Sequence, residues 1–283
     1  MAPTWNTSKR ELDYSAGTLV MGILNVTPDS FSDGGKFASV DEALKRVEQM
    51  IADGMDILDI GGESTRPGSA RVPADEEIAR VAPVIEAVTE NFDIPISIDT
   101  SKAETAKAAV DAGAEIINDI SGLRFDARMA GIAAQKKTGL VLMHLRGTFE
   151  TMHKQEPVSD IIQEVKNGLK WSIEKALEYG VDKGAIALDI GLGFSKTFEQ
   201  NFELMAKLEQ VCNEFRGYPV LFGSSRKSFI GKALGDLPVT ERLSGSLAAA
   251  ALAVWNGAAI IRTHDVKETA QVVRIVEAIK GQK

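Results

Sequence analysis

The chain has 283 residues, 44% of them apolar, enough to bury one large core and within the range of a single α/β barrel. A formal charge of -8 and the absence of any Lys/Arg run exclude the basic field of a nucleic-acid or membrane-surface binder. The longest nearly pure apolar run, Leu247–Trp255, is too short to span a bilayer, Trp5–Arg10 offers no signal-peptide core, and a lone Cys212 excludes an intrachain disulfide or thiolate cage, so a cytoplasmic protein acting on small molecules is expected.

The first predicted strand is Leu19–Asn25, followed by a polar, glycine-ended loop, Pro28–Gly35, whose sole large apolar group is Phe31. Ser39-Val40-Asp41-Glu42 reads as a helix-opening capping box, with Leu44, Val47 and Ile51 at helical spacing. From there a repeated join appears: a glycine ends a helix, an apolar run follows, and a polar residue stands five positions on. Gly54 leads in this way to Asp59, Gly113 to Asn118, Gly139 to His144, Gly184 to Asp189 and Gly257 to Arg262. Glycine suits a left-handed helix cap, and the apolar run after it suits a buried parallel strand. Strands over Ile94–Asp99 and Val220–Gly223 complete the set, the former followed by a second capping box, Ser101-Lys102-Ala103-Glu104.

Because strand side chains alternate, Ile57 and Asp59, Ile116 and Asn118, Ala187 and Asp189, and Ile260 and Arg262 share inward faces, apolar below and polar at the carboxyl end. In the Gly139 strand either Met143 or His144 faces inward. Eight such units predict a (β/α)8 TIM barrel in one domain, 1–283, with residues 1–16 as an N-terminal extension; a doubly wound sheet is the alternative.

Barrel chemistry sits at the carboxyl ends of the strands, where the chain places Asn25, Glu63, Asp99, Asn118, His144, Asp189, Ser225, Lys227, Arg262 and His264. Carboxylates and an amide carbonyl at Asp99, Asp189 and Asn118 suit the donors of an aminopyrimidine ring, Lys227 suits its carbonyl, and Arg262 suits the ring face or an anion. Ser225 and Ser228 lack the Gly-x-Ser-x-Gly elbow of an acyl-transfer nucleophile. Lys227 as a Schiff-base lysine stays open through its neighbour Arg226, but its place at the start of a helix favours an anionic substrate. His144, His153 and His264 are scattered, which argues against zinc, whereas Mg2+ needs one or two protein oxygens when substrate phosphates supply the rest; Asn25 is the candidate.

Several long runs then resemble the dihydropteroate synthase family, in its order and over nearly the whole chain: MGILNVTPDSFSDGG at 21–35, DILDIGGESTRPG at 56–68, ISIDTSK at 96–102, NDISG at 118–122, GFSKTFEQN at 193–201, SRKSFIG at 225–231 and RTHD at 262–265. The resemblance implies that 6-hydroxymethyl-7,8-dihydropterin pyrophosphate is joined to p-aminobenzoate with release of pyrophosphate. It implies pterin binding by Asp99, Asn118, Asp189 and Lys227, packing by Met143 and Phe194, and Arg262 stacked on the pterin. Asn25 matches the Mg2+ ligand, and Arg66, Arg262 and His264 match groups around the pyrophosphate. Thr65, Pro67 and Ser228, with Pro28 and Phe31 of the first loop, match the p-aminobenzoate side, where sulfonamides compete, and Asp33 matches a loop aspartate that completes the closed site. A homodimer formed through helices is also implied, to which Ala248–Trp255 is a candidate contributor. The chain departs from the family pattern at Ile190 and Phe149, where prolines are usual, and at His153, where glutamine is usual. A pterin-dependent methyltransferase barrel would retain Asp99, Asn118 and Asp189 but would have no use for the cations around the pyrophosphate.

Overall fold

Eight parallel strands close on themselves in sequence order in the computed structural model, which describes residues 3–27, 36–66 and 68–282. After the short antiparallel pair β1 (Thr4–Asn6) and β2 (Glu11–Asp13), the barrel strands are β3 (Leu19–Asn25), β4 (Ile57–Gly61), β5 (Ile96–Asp99), β6 (Ile116–Asp119), β7 (Gly139–Met143), β8 (Ile186–Asp189), β9 (Val220–Phe222) and β10 (Ile260–Thr263). Around them run α1 (Lys36–Ala52), α2 (Ala74–Asn91), α3 (Ala103–Asp111), α4 (Met129–Lys136), α5 (Ile161–Glu178), α6 (Phe198–Ala206), α7 (Leu208–Glu214), α8 (Ser228–Ala233), α9 (Leu243–Trp255) and α10 (Val266–Lys280). This is the (β/α)8 TIM barrel expected from the repeated joins. Among the described residues no helix is long and apolar enough to cross a membrane.

The alternation of each strand divides the core in two. Outward residues such as Leu58, Ile60, Ile117 and Leu188 pack under the helices, while Met21, Ile57, Ile116, Val141, Ala187, Leu221 and Ile260 fill the barrel interior. Trp5 joins that inner cluster, fully buried, with its indole N–H donating to the Ala185 carbonyl at 2.8 Å. The hairpin of β1 and β2 thus brings to the barrel interior an aromatic plug whose one polar atom is satisfied. The inward face beyond this apolar layer carries mostly polar side chains.

Local details differ from expectation in informative ways. Gly54, Gly113 and Gly257 do adopt left-handed φ values, 98°, 126° and 96°. Before β7, however, the left-handed cap is Lys137 at φ 54°, so Gly139 opens the strand and does not precede it. Gly184 lies in a single 3-10 turn, the left-handed position being Gly180. The helix starts also differ from the predicted capping boxes. The helix α1 already runs from Lys36, which puts Ser39 inside it, and α3 is preceded by Lys102, the Ala103 N–H being accepted at 3.0 Å by Asp126 from a distant loop. A capping box does form at Thr197 and Gln200, opening α6. In α1 the buried stripe is Ala43, Val47 and Met50, with Leu44 half-buried and Ile51 exposed.

Candidate active site

Two residues beyond the apolar layer, the strands end in Asp59, Asp99, Asn118, Met143, Asp189 and Arg262, all on the inward face by register. Met143 is the inward residue of β7, in register with Asp189, because the extra residue between Lys137 and the strand shifts its phase. His144 therefore does not reach the mouth. It is buried outside the barrel against α5, where Gly168 leaves it room: a Cβ there would lie 2.5 Å from His144 Cδ2.

The mouth is organised by one cation. Arg262 donates through Nε to Asp59 at 2.6 Å and through Nη2 to Asp99 at 2.7 Å, and Asn118 donates to the same Asp59 oxygen at 3.1 Å. Asp59 is wholly buried, and its second oxygen has no partner among the described residues. Burial pushes the Asp99 carboxyl up to about 7 against the pull of Arg262, with Asp59, Glu77 and Asp189 adding to the rise. Burial also raises Asp189, opposed chiefly by Lys227. The Lys227 ammonium is drawn down to about 8 by burial, despite the nearby Asp189. For Arg262, burial works against the charge but Asp59 and Asp99 outweigh it, so the guanidinium stays cationic. The mouth thus holds more carboxylate than it can comfortably ionise, which is the condition for gripping a ligand rich in N–H donors.

The loops after the strands are fastened to one another. Asp189 accepts from the Gly191 N–H at 2.7 Å, which leaves its other oxygen for a ligand. Gly191 sits at φ 67°, and a Cβ there would lie 2.0 Å from the His144 carbonyl oxygen, so only glycine allows this turn. Ile190, the residue in place of the usual proline, is wholly buried. Lys196 binds the Gly191 and Phe194 carbonyls at 2.8 and 2.9 Å and lies 3.1 Å from His144 Nδ1, holding the loop after β8 to the end of β7. Lys227 donates to the Leu192 carbonyl and lies 4.8 Å from the Phe194 ring centroid. Phe194 and Met143 pack together with Ile120, Leu145, Phe149 and Met152.

In the loop that carries Lys227, Ser225 ties β9 to β10. The Ser225 hydroxyl oxygen accepts from the His264 backbone N–H at 3.1 Å and lies 3.0 Å from His264 Nδ1. One arrangement that satisfies both groups has the hydroxyl accepting from the amide and donating to Nδ1, which leaves the imidazole proton on Nε2. Burial, with Arg262 and Arg226 adding to it, drives His264 down to about 3. It is therefore a neutral donor near pH 7, not a cation. Arg226, at φ 58°, pairs with Asp265 and braces the same two loops. Glu63 serves as support: it accepts from the Val72 N–H at 2.6 Å and pairs with Lys102 at 2.9 Å.

Thr65 is half-buried, and Arg66 and Ser228 are exposed. Pro28, Phe31, Asp33 and Pro67 lie outside the described residues. Asn25, at the end of β3, is half-buried, its amide making no hydrogen bond to a described residue. A Cβ added at Gly61 would lie 3.9 Å from its Oδ1 and 3.6 Å from Asp99 Cβ, so Gly61 leaves space between these two side chains. Among the described residues no three His, Cys, Asp or Glu side chains are grouped to hold a metal. One neutral amide oxygen fits a hard cation only when a ligand's own oxygens complete the shell, as Mg2+ with a pyrophosphate would require. Sequence reasoning placed Asp59 on the inward face but assigned it no role; the signal was its position five residues after Gly54.

A family model described as pterin binding enzyme matches residues 21–264. The dihydropteroate synthase of Bacillus subtilis is 48% identical over 97% of this chain and 93% of its own length. The chain belongs to the dihydropteroate synthase family. Solved members of that family superpose closely. A Yersinia pestis dihydropteroate synthase with a sulfonamide drug has a TM-score of 0.91 at 41% identity, covering 98% of this chain and 99% of that one. A Xanthomonas albilineans dihydropteroate synthase with 4-aminobenzoic acid has a TM-score of 0.91 at 40% identity, covering 99% of each chain.

Proposed function

We propose that the chain is a transferase that joins 6-hydroxymethyl-7,8-dihydropterin pyrophosphate to p-aminobenzoate, giving 7,8-dihydropteroate and pyrophosphate. The observation that carries this reaction is the hydrogen-bonded row Asp59, Arg262 and Asp99, with Asp189 and Lys227 close enough to shift one another's protonation. The ring N–H and amino groups of the pterin donate to Asp99 and Asp189, Asn118 adds a polar contact, and Lys227 donates to the ring carbonyl. Met143 and Phe194 pack beside the rings and the planar Arg262 lies over the pterin face. Bound pterin donors offset the carboxylate charge that burial disfavours.

The reacting bond joins the methylene carbon of the pterin to a pyrophosphate oxygen. Its electron pair leaves with the pyrophosphate, whose developing charge meets Arg66, Arg262 and the neutral N–H of His264. The amine of p-aminobenzoate forms the new C–N bond and then releases a proton to solvent. Asp99 and Asp189 offset the positive charge spread over the pterin while the C–O bond is broken. Thr65, Pro67 and Ser228, with Pro28 and Phe31, wall the aryl pocket, Asp33 helps to close it, and sulfonamides enter as aryl amines of like shape. Mg2+ held by Asn25 together with pyrophosphate oxygens would supply further neutralisation of the leaving group. The chain is also proposed to pair with a second copy, since the packed helices α9 and α10 leave Leu252, Ile275 and Ile279 exposed at 57%, 63% and 53%.

Pyrophosphate release measured with the pterin pyrophosphate, with and without p-aminobenzoate and Mg2+, tests the activity; absence of release with the complete mixture would refute it. For the metal, Asn25→Ala is expected to raise the Mg2+ concentration for half-maximal release roughly tenfold, while a pterin lacking phosphates binds within about twofold of the wild-type affinity. An equal loss of phosphate-free pterin binding, measured by calorimetry, would instead make Asn25 a residue that merely pins its loop.

A further inference from the structure

A line of contacts crosses the mouth above the pterin-side residues and joins loops that follow four different strands. The His153 ring, in the loop after β7, has Nε2 2.9 Å from the Thr65 carbonyl oxygen in the loop after β4. A carbonyl only accepts, so His153 carries its proton on Nε2 in this arrangement. The same ring stacks on Phe194, in the loop after β8, with centroids 5.5 Å apart and planes at 28°. Lys227, beyond β9, lies 4.8 Å from the Phe194 centroid. Below His153 the platform is firm: the Ser195 N–H donates to the Met152 carbonyl at 2.7 Å, and the Ser195 hydroxyl accepts from the Arg146 N–H at 3.0 Å and donates to the Arg146 carbonyl at 2.8 Å. The same segment also grips the far end of the Thr65 loop, since the Arg71 guanidinium lies 5.3 Å from the Phe149 ring centroid; it lies 5.8 Å from that of Phe125, in the loop after β6.

We infer that His153 is a positioning residue that sets the Thr65 loop against Phe194, and so fixes the width of the aryl-amine pocket without touching the pterin. This rests on the function proposed above. The hydrogen bond orients the Thr65 peptide, and the stack ties that orientation to the ring beside Lys227. Loss of the bond frees the loop, so the amine substrate must order it on binding.

Steady-state kinetics and pterin calorimetry on the full chain separate the contributions. Activity of the unsubstituted chain is measured first, so that failure of the reaction itself is distinguished from failure of this inference. His153→Phe keeps an aromatic face for Phe194 but has no donor; it is expected to raise the KM for p-aminobenzoate about fivefold to tenfold, with kcat and pterin affinity within twofold. His153→Gln retains an N–H donor and is expected to hold KM within about twofold of wild type. A KM unchanged in His153→Phe, or a pterin affinity that falls as much as KM rises, overturns the inference. So does a glutamine variant as impaired as the phenylalanine one.

Discussion

Replacing Arg262 with methionine is expected to destabilise the chain by about 3–5 kcal/mol near pH 8, the range for removing one partner of a buried ion pair. Asp59 is wholly buried and the Asp99 side chain is 18% exposed, and among the described residues the guanidinium is the one cation bonded to both. Without it two carboxylates face each other at the barrel mouth. The pH dependence has a definite sign. The Asp99 carboxyl already stands at about 7, with Arg262 the main influence holding it down, so in the variant it lies higher still. A carboxyl raised in the folded state destabilises it fully above the folded pKa and not at all below the unfolded value near 3.9. The Asp99 part of the deficit should therefore shrink as pH is lowered from above 8 to about 7, where the parent's own Asp99 also becomes protonated, and should not change further below that. Denaturant unfolding at several pH values measures it, and a deficit below about 1 kcal/mol, or one that grows on acidification, would contradict the assignment. The double variant Arg262→Met/Asp59→Asn should regain much of the stability, because no buried anion is left unpaired at position 59. It should not regain activity: loss of charge stabilisation at the leaving group is expected to lower turnover about a hundredfold to a thousandfold in both variants.

What the sequence made legible is what a single chain segment encodes. The glycine caps at 54, 113 and 257 and the apolar runs after them place Asp59, Asn118 and Arg262 on one face, because period-two alternation is a local property. Legibility fails where the signal is spread between segments. Lys137 takes a left-handed cap without being glycine, and that one residue decides that Met143 and not His144 enters the barrel. The proton on His264 is lost to burial and to Arg262 and Arg226, from elements far apart in sequence, so its being a neutral imidazole could not be read from any one segment. Asp126 replaces Ser101 as the partner of the first amide of α3 from a separate loop. The segment holding Phe149 and His153 departs from the family pattern, and only its contacts with Arg71 and Thr65 explain what these residues do. Pairings across strands are set by the closed barrel and are invisible to any window of sequence.

Asp189→Asn should separate binding from stability by moving them in opposite directions. In the empty site one Asp189 oxygen accepts from Gly191, and the other is left for the ligand. Asparagine can keep the first contact with its carbonyl oxygen, but it then turns an NH2 towards the pterin, donor against donor. A lost charge-assisted hydrogen bond is worth roughly 1.5–3 kcal/mol, so pterin affinity should fall about tenfold to a hundredfold. The empty protein should gain stability. Burial raises the Asp189 carboxyl, which means that its ionised form is unfavourable in the folded state despite Lys227. Such a group destabilises the fold above its folded pKa and has no effect below the unfolded value near 3.9. Asparagine never ionises, so its advantage should be present near pH 8 and vanish on acidification, with a size of roughly 0.5–2 kcal/mol, as when a strained functional site is relaxed. Calorimetric titration with a pterin and thermal unfolding of the empty protein at pH 8 and pH 5 read the two effects independently. Unaltered pterin affinity would remove Asp189 from the binding site. A variant less stable than the parent at pH 8 would mean that Lys227 stabilises the carboxylate by more than burial destabilises it, and the mouth would then not be short of positive charge when empty.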